Sequence, residues 1–132
     1  LKAKAKDTGF ERDRLIYGLV KVGDLFRHTG DRASAEAAYR SALERGGESA
    51  DERARAERAE AQWRLARVLY ERRASDTEID RAIQEAETFG AELRGYRLVP
   101  DAARRADVLL GEVRHLRGQL LTRKREFAEA AR

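Results

Sequence analysis

LVKVGDLFRHTGDRASAEAAYRSAL, residues Leu19–Leu43, is the stretch that decides how the chain is read. Apolar residues at Leu15, Leu19, Val22 and Phe26 fall at helical spacing and predict a first helix over roughly 10–28. His28-Thr29-Gly30-Asp31 breaks it. A second helix follows over about 32–45, with Ala35, Ala38, Tyr39, Ala42 and Leu43 on one stripe, and Gly46-Gly47 ends it. Small residues (Gly23, Ala35, Ala42) stand where two such helices, folded back on each other by the Gly-Asp turn, must touch.

The same grammar extends towards the C-terminus. Ser49-x-x-Glu52 has capping-box spacing, in which the serine satisfies one orphan amide and the glutamate reaches back to another. It introduces a long helix over about 50–73, with Ala59, Leu65, Ala66 and Leu69 facing inward. Ser75-x-x-Glu78 repeats the spacing before a fourth helix carrying Ile79, Ala82, Ile83, Ala86 and Phe89. From Gly90 to Gly95 the pattern weakens, and Tyr96–Pro100 reads as a loop pinned by an apolar side chain. Asp101 starts a fifth helix through about 124, with Ala106, Leu109, Leu110, Val113, Leu116, Leu120 and Leu121, and the sequence stops in the first turns of a sixth.

Composition agrees with exposed-faced helices in one domain. The 132 residues are 42% hydrophobic and 39% charged, with a single proline. No apolar run approaches the roughly 20 residues of a membrane span, and no secretory signal is visible behind the basic leader, residues 1–9, with Lys2, Lys4 and Lys6. Soluble and cytoplasmic is the expectation. The first residue is Leu1 where an initiator Met would stand, so a processed or excised piece is expected. Without cysteine there are no disulfides and no thiolate metal ligands. The pI of 9.7 invites a nucleic-acid reading, yet the net charge of +4 is the remainder of 28 basic and 24 acidic residues. The two signs alternate along the helices, the pattern of solvated faces with i,i+4 pairs, which argues against nucleic acid as the partner.

Two helix pairs and an unfinished third form an internal repeat. Leu19, Val22, Gly23 and Phe26, then Ala35, Tyr39 and Ala42, fill every place of the pattern large–x2–large–small–x2–large and small–x3–aromatic–x2–small. By these residues the chain resembles the tetratricopeptide repeat family. The second copy has Leu65, Ala66 and Leu69, then Ala82, Ala86 and Phe89, with four extra residues at Ala74–Thr77. An alternative register places Trp63 and Tyr70 in the large positions and needs no insertion, but sets Arg67 at a helix contact, where burying it would be expensive. The third copy shows in Gly118, Leu121 and Arg125-Glu126-Phe127-x-x-x-Ala131. From Gly23 to Ala66 the step is 43 residues, and in this the chain is similar to the long-helix repeats of kinesin light chains and to repeat arrays of large bacterial nucleotide-switched regulators. The resemblance implies an all-α, right-handed superhelix of antiparallel helix pairs, five helices and a partial sixth. Its repeats are at roughly 10–47, 50–94 and, incomplete, 101–132.

It also implies a job: a protein–protein interaction scaffold in a bacterial regulatory or assembly protein, not an enzyme, holding a partner peptide or helix in a groove lined by the first helix of each repeat. By register the groove positions are Tyr17, Val20, Asp24, Arg27 and His28 in the first repeat. In the second they are Glu60, Trp63, Arg67, Tyr70 and Glu71. Of these Tyr17, Asp24, Arg27, Trp63, Arg67 and Tyr70 are the candidate partner contacts, since Trp, Tyr and Arg dominate interfaces. Trp63 and Tyr70 would act as apolar shelves and Arg67 would pair a partner carboxylate; the structural alternative packs Trp63 into the core. Chaperone-binding members of the family hold a terminal carboxylate with Lys and Asn; this chain has no Asn, and has Val20 and Asp24 in such places. His28, at a helix C-terminus, suits the dipole, and neither it nor His115 has a carboxylate pair near it in sequence, so no metal or catalytic site is expected. No cofactor is expected either, because Gly46-Gly47 follows a helix where a phosphate loop must precede one. Bare apolar residues at the C-terminal edge (Leu120, Leu121, Phe127) predict self-association there or a longer array. Two other classes remain beside the scaffold: a nucleic-acid-binding helical domain using the Arg excess, and a purely structural homo-oligomer.

Overall fold

A computed structural model describes residues 9–46 and 51–131, with side chains described from Asp13 onward. All regular structure among them is helical: α1 Gly9–His28, α2 Arg32–Gly46, α3 Glu52–Glu71, α4 Asp76–Arg94 and α5 Ala102–Ala130. Residues 1–8 of the basic leader, Gly47 and Ser49 lie outside the described residues, and Gly9, counted with the leader, begins α1. α3 is capped by Asp51, whose Oδ2 accepts from the Ala54 amide at 3.3 Å.

Two tight turns close the helix hairpins by one device. After α1, the Gly30 amide donates to the Arg27 carbonyl and the Asp31 amide to that of Phe26, with Gly30 at φ 89°. After α3, the Arg73 amide donates to the Tyr70 carbonyl and the Ala74 amide to that of Leu69, with Arg73 at φ 62°. Both are Schellman closures, which satisfy orphan carbonyls through a left-handed residue. Asp31 then caps α2 through the Ser34 amide at 3.0 Å, a bond that lowers its pKa, and Ser75 Oγ caps α4 through the Glu78 amide at 3.2 Å. The expected Ser75 cap is therefore in place. From the closing residue to the following cap, the second turn (Arg73 to Ser75) is one residue longer than the first (Gly30 to Asp31), where the sequence reading inserted four.

Each helix packs on its chain neighbours, and α1 also packs on α3; α3 and α5 touch only lightly. The core runs between the layers as Ile16, Val20, Tyr39, Ala42, Leu65, Ala66, Leu69, Ile79, Ile83, Ala86, Leu109, Val113, Leu116 and Leu120. Gly23 sits where the repeat pattern wants a small residue: an added Cβ would lie 2.5 Å from the ring of Tyr39, which is fully buried. Leu65, Ala66 and Leu69 are buried, as the four-insertion register also supposed, while Arg67 lies beside the contact.

The stripe expected to face inward on α1 is turned half around. Ile16, Val20 and Gly23 meet the core. Leu15, Val22 and Phe26, with Leu25 between them, are 37% to 66% exposed, and Leu19 is half-buried. α2 and α3 both lie on the Ile16 side, and no described helix covers the other.

At the far end α5 runs unbroken for 29 residues, so the partial sixth helix does not occur. No proline interrupts residues 118–130, and Leu120, Leu121, Lys124, Arg125 and Glu126 are good helix formers. The loop before it is held as expected by a buried apolar residue, Val99, and also by Glu52 Oε1, which accepts from the amides of Arg97 (2.8 Å) and Leu98 (2.7 Å).

Candidate interaction trough

Polar side chains of α1, α3 and α5 share one face of the helix stack, and the light α3–α5 contact opens a trough along it. One cavity of about 290 Å³ is lined by Arg27, Trp63, Arg67, Tyr70 and Glu71, with Glu112, His115, Leu116 and Gln119 on the α5 wall. A second, of about 760 Å³, continues it: Tyr70, His115 and Gln119 belong to both, and Arg73, Arg114, Gly118 and Arg123 extend the lining. At Gly118 an added Cβ would meet nothing within 4 Å, so the absent side chain leaves the trough wide.

Of the six sequence-derived contacts, Arg27, Trp63, Arg67 and Tyr70 come together here. Tyr17 does not. It lines a separate hollow of about 280 Å³ with Lys21, whose Nζ lies 5.2 Å from its ring centroid, and with Glu57, Glu60, Arg64 and Arg105. Asp24 is turned to internal work: it accepts from the Tyr39 hydroxyl at 2.6 Å and from Arg64 Nε at 3.0 Å. Burial, followed by that bond to Asp24, pushes the Tyr39 hydroxyl up to about 12. Val20, placed in the groove by register, is buried in the core. Trp63 is 7% exposed, so its ring is core with one edge at the cavity, and it is no open shelf.

Charge on this face is largely compensated. Arg27 makes a two-pronged bond to Glu71, Nε to Oε1 at 2.9 Å with a second bond from Nη2 to Oε2, and this holds its pKa above the ordinary arginine value. Arg64 bonds Glu60 at 2.7 Å, and Arg105 reaches Glu57 and Glu60 at 3.4 and 3.5 Å. Arg123 lies 4.3 Å from the Tyr70 ring centroid, donates to the Tyr70 carbonyl at 3.2 Å and meets Asp76 at 3.6 Å. Arg67 differs. Its guanidinium carbon is 5.0 Å from the Trp63 ring centroid, its Nε is buried without an acceptor, and no described carboxylate forms an ion pair with it. Burial, and next the like charge of Arg27, lower its pKa.

His28 is exposed at the end of α1, and His115 faces the trough. Among the described residues no group of three or more His, Cys, Asp or Glu is placed to hold a metal ion, and no helix is long and apolar enough to cross a membrane.

On α5 only His115 was expected to be exposed or groove-facing; the rest of its wall was not named. Glu112, His115, Gln119 and Arg123 recur at helical spacing, one step off the buried row Val113, Leu116 and Leu120. That polar row was the available signal; reading α5 only for its apolar face passed over it.

No protein-family model, curated protein or solved structure matches this chain.

Proposed function

We propose that the protein is an interaction scaffold that captures an extended or helical segment of a partner protein in the α3–α5 trough. The carrying observation is the continuity of the two cavities through Tyr70, His115 and Gln119, which gives a linear guest a path of more than one side chain's length. A stiff helical wall that already presents aromatic and arginine side chains lowers the ordering cost of capture. The tetratricopeptide resemblance points the same way, and the paired Schellman closures at Gly30 and Arg73 support a duplicated helix hairpin. On that resemblance we place the chain in a cytoplasmic regulatory or assembly protein of bacterial type, with no chemistry of its own.

The test is obstruction. Gly118→Trp puts a large side chain into the trough from a position with open space and no core contact. A partner retained from source-cell lysate by the intact protein and lost with Gly118→Trp, at unchanged circular dichroism, supports the reading. Equal retention by both removes it.

A second reading, self-association, is favoured by the uncharged strip Leu15, Leu19, Val22, Leu25 and Phe26 on α1. At the C-terminal edge Leu121 and Phe127 are 54% and 78% exposed, as expected there, whereas Leu120 is buried. Nucleic-acid binding fits less well. Arg27, Arg64 and Arg105 are engaged by carboxylates, and Glu71, Glu112 and Glu126 stand in the trough walls, where they repel a run of phosphates.

A further inference from the structure

Six half-buried arginines among the described residues, Arg27, Arg58, Arg64, Arg105, Arg117 and Arg123, each meet a carboxylate. Arg67 is as enclosed as they are and meets none among the described residues. Trp63 lies beneath it, its Nε has no acceptor, and the charged group that acts on it most strongly is another cation, Arg27. The Tyr39 hydroxyl oxygen offers the Arg67 guanidinium a neutral acceptor, but no described anion balances the enclosed charge; this opposes folding, and an anionic oxygen from outside would relieve it. The cavity that gives access to Arg67 carries further side-chain donors on its α5 wall, His115 and Gln119.

We infer that this cavity is an anchor for one carboxylate side chain, Asp or Glu, of the captured segment, with Arg67 as the group that binds it. This rests on the trough reading above and adds the chemistry of the guest. Planar guanidinium and planar carboxylate match in a two-pronged geometry, and the Trp63 ring 5.0 Å away restricts where the guanidinium can sit before the guest arrives. Glu71 and Glu112 in the same lining limit the guest to an isolated acid: a second carboxylate nearby would face them. The guest is therefore a segment with one acidic residue among uncharged or basic neighbours.

The test uses a library of 12-residue peptides displayed on phage through their C-terminal ends, so that only side chains can supply a carboxylate. It is panned on the intact protein, on Arg67→Gln and on Arg67→Lys, each checked by circular dichroism. Expected for the intact protein is enrichment of peptides sharing one Asp or Glu position. A synthetic peptide of that sequence should lose at least tenfold in affinity when the acid becomes its amide, a loss of the size carried by a hydrogen bond to a charged group. Against Arg67→Gln the acid and amide peptides should bind alike, and Arg67→Lys should retain part of the preference. Amidating the peptide's C-terminus should change nothing; if it abolishes binding, a chain-terminal carboxylate is the ligand and the side-chain assignment is overturned. Enriched peptides with no shared acid overturn the anchor and leave the trough standing. So does an acid preference that survives both Arg67 variants. If no peptide is enriched, the trough reading falls and the anchor with it. Salt-steep binding of a single-stranded oligothymidylate by the intact protein, with no peptide enriched, would replace both with polyanion binding.

Discussion

Gly30 and Arg73 stand 43 residues apart and do the same thing: each is the left-handed residue that closes a helix, at φ 89° and 62°. The bonds around them correspond one for one, Asp31 to Phe26 matching Ala74 to Leu69. The spacing equals the step from Gly23 to Ala66. Glycine occupies the left-handed region without a steric penalty, whereas a side chain there costs about 1–2 kcal/mol.

Arg73→Gly should therefore stabilise the fold by about 0.5–1 kcal/mol, the relief of strain less the extra entropy glycine brings to the unfolded chain. Gly30→Ala should destabilise it by about 1 kcal/mol. Urea titrations at matched slope measure both. Opposite signs are the expectation, and equal signs would mean that the two closures are not equivalent.

Glycines inside helices divide in the same physical way. Gly23→Ala drives a methyl group into the Tyr39 ring, which is enclosed and tied to Asp24, so a loss of about 1–3 kcal/mol is expected from overpacking. At Gly111 an added Cβ meets nothing within 4 Å, and Gly111→Ala should gain about 0.5–1 kcal/mol from helix propensity. Melting temperatures that move the same way for the two variants would contradict the close helix contact at Gly23.

How much of this was legible in the chain follows from whether a signal is local. Helix ends are local. His28-Thr29-Gly30-Asp31 and Ser75 announce their turns by turn and cap chemistry, and the bounds of α1 to α4 lie within a few residues of the expected ones, while α5 runs six residues past its expected end. Which face of α1 is covered is not local. Ile16 and Val20 form one apolar row and Leu15, Val22 and Phe26 another, and only the positions of α2 and α3 decide between them. The trough shows the same division. Arg67 stood out by residue type and register. Asp24 also suited a groove until Tyr39 and Arg64 were seen to use it, and the α5 wall needed the gap between α3 and α5, which no spacing encodes.

Tyr39 makes the fold sensitive to alkali. Its pKa is raised from 10 to about 12 in the folded state, so the neutral hydroxyl is what the fold favours. The contribution is complete below pH 10 and declines as pH rises towards 12, by about 2–3 kcal/mol in all. Stability of the intact protein should thus fall across that window, and Tyr39→Phe should flatten the fall while lowering stability at neutral pH, because Asp24 loses one of its two donors. Chemical denaturation at several pH values, with tyrosinate absorbance followed in parallel, tests this. An unchanged slope in Tyr39→Phe would assign the alkaline loss to other groups.

The outer strip of α1 leads to a prediction about concentration. Leu15, Leu19, Val22 and Phe26 alternate in steps of four and three, the seam spacing of paired helices, and Leu25 widens the strip without adding charge. In a chain that is 39% charged, so long an uncharged surface row invites a second copy. A three-turn strip is small against the roughly 1,200 Å² that stable interfaces bury, so the association should be weak and reversible. Sedimentation velocity should show mass rising with concentration for the intact protein and not for Val22→Glu/Leu25→Lys, whose side chains are already solvent-exposed and whose fold should be unchanged. Leu121→Glu separates the two ends of the stack. If it removes the association while the α1 double variant keeps it, contact is through α5 and the α1 strip is only solvated apolar surface.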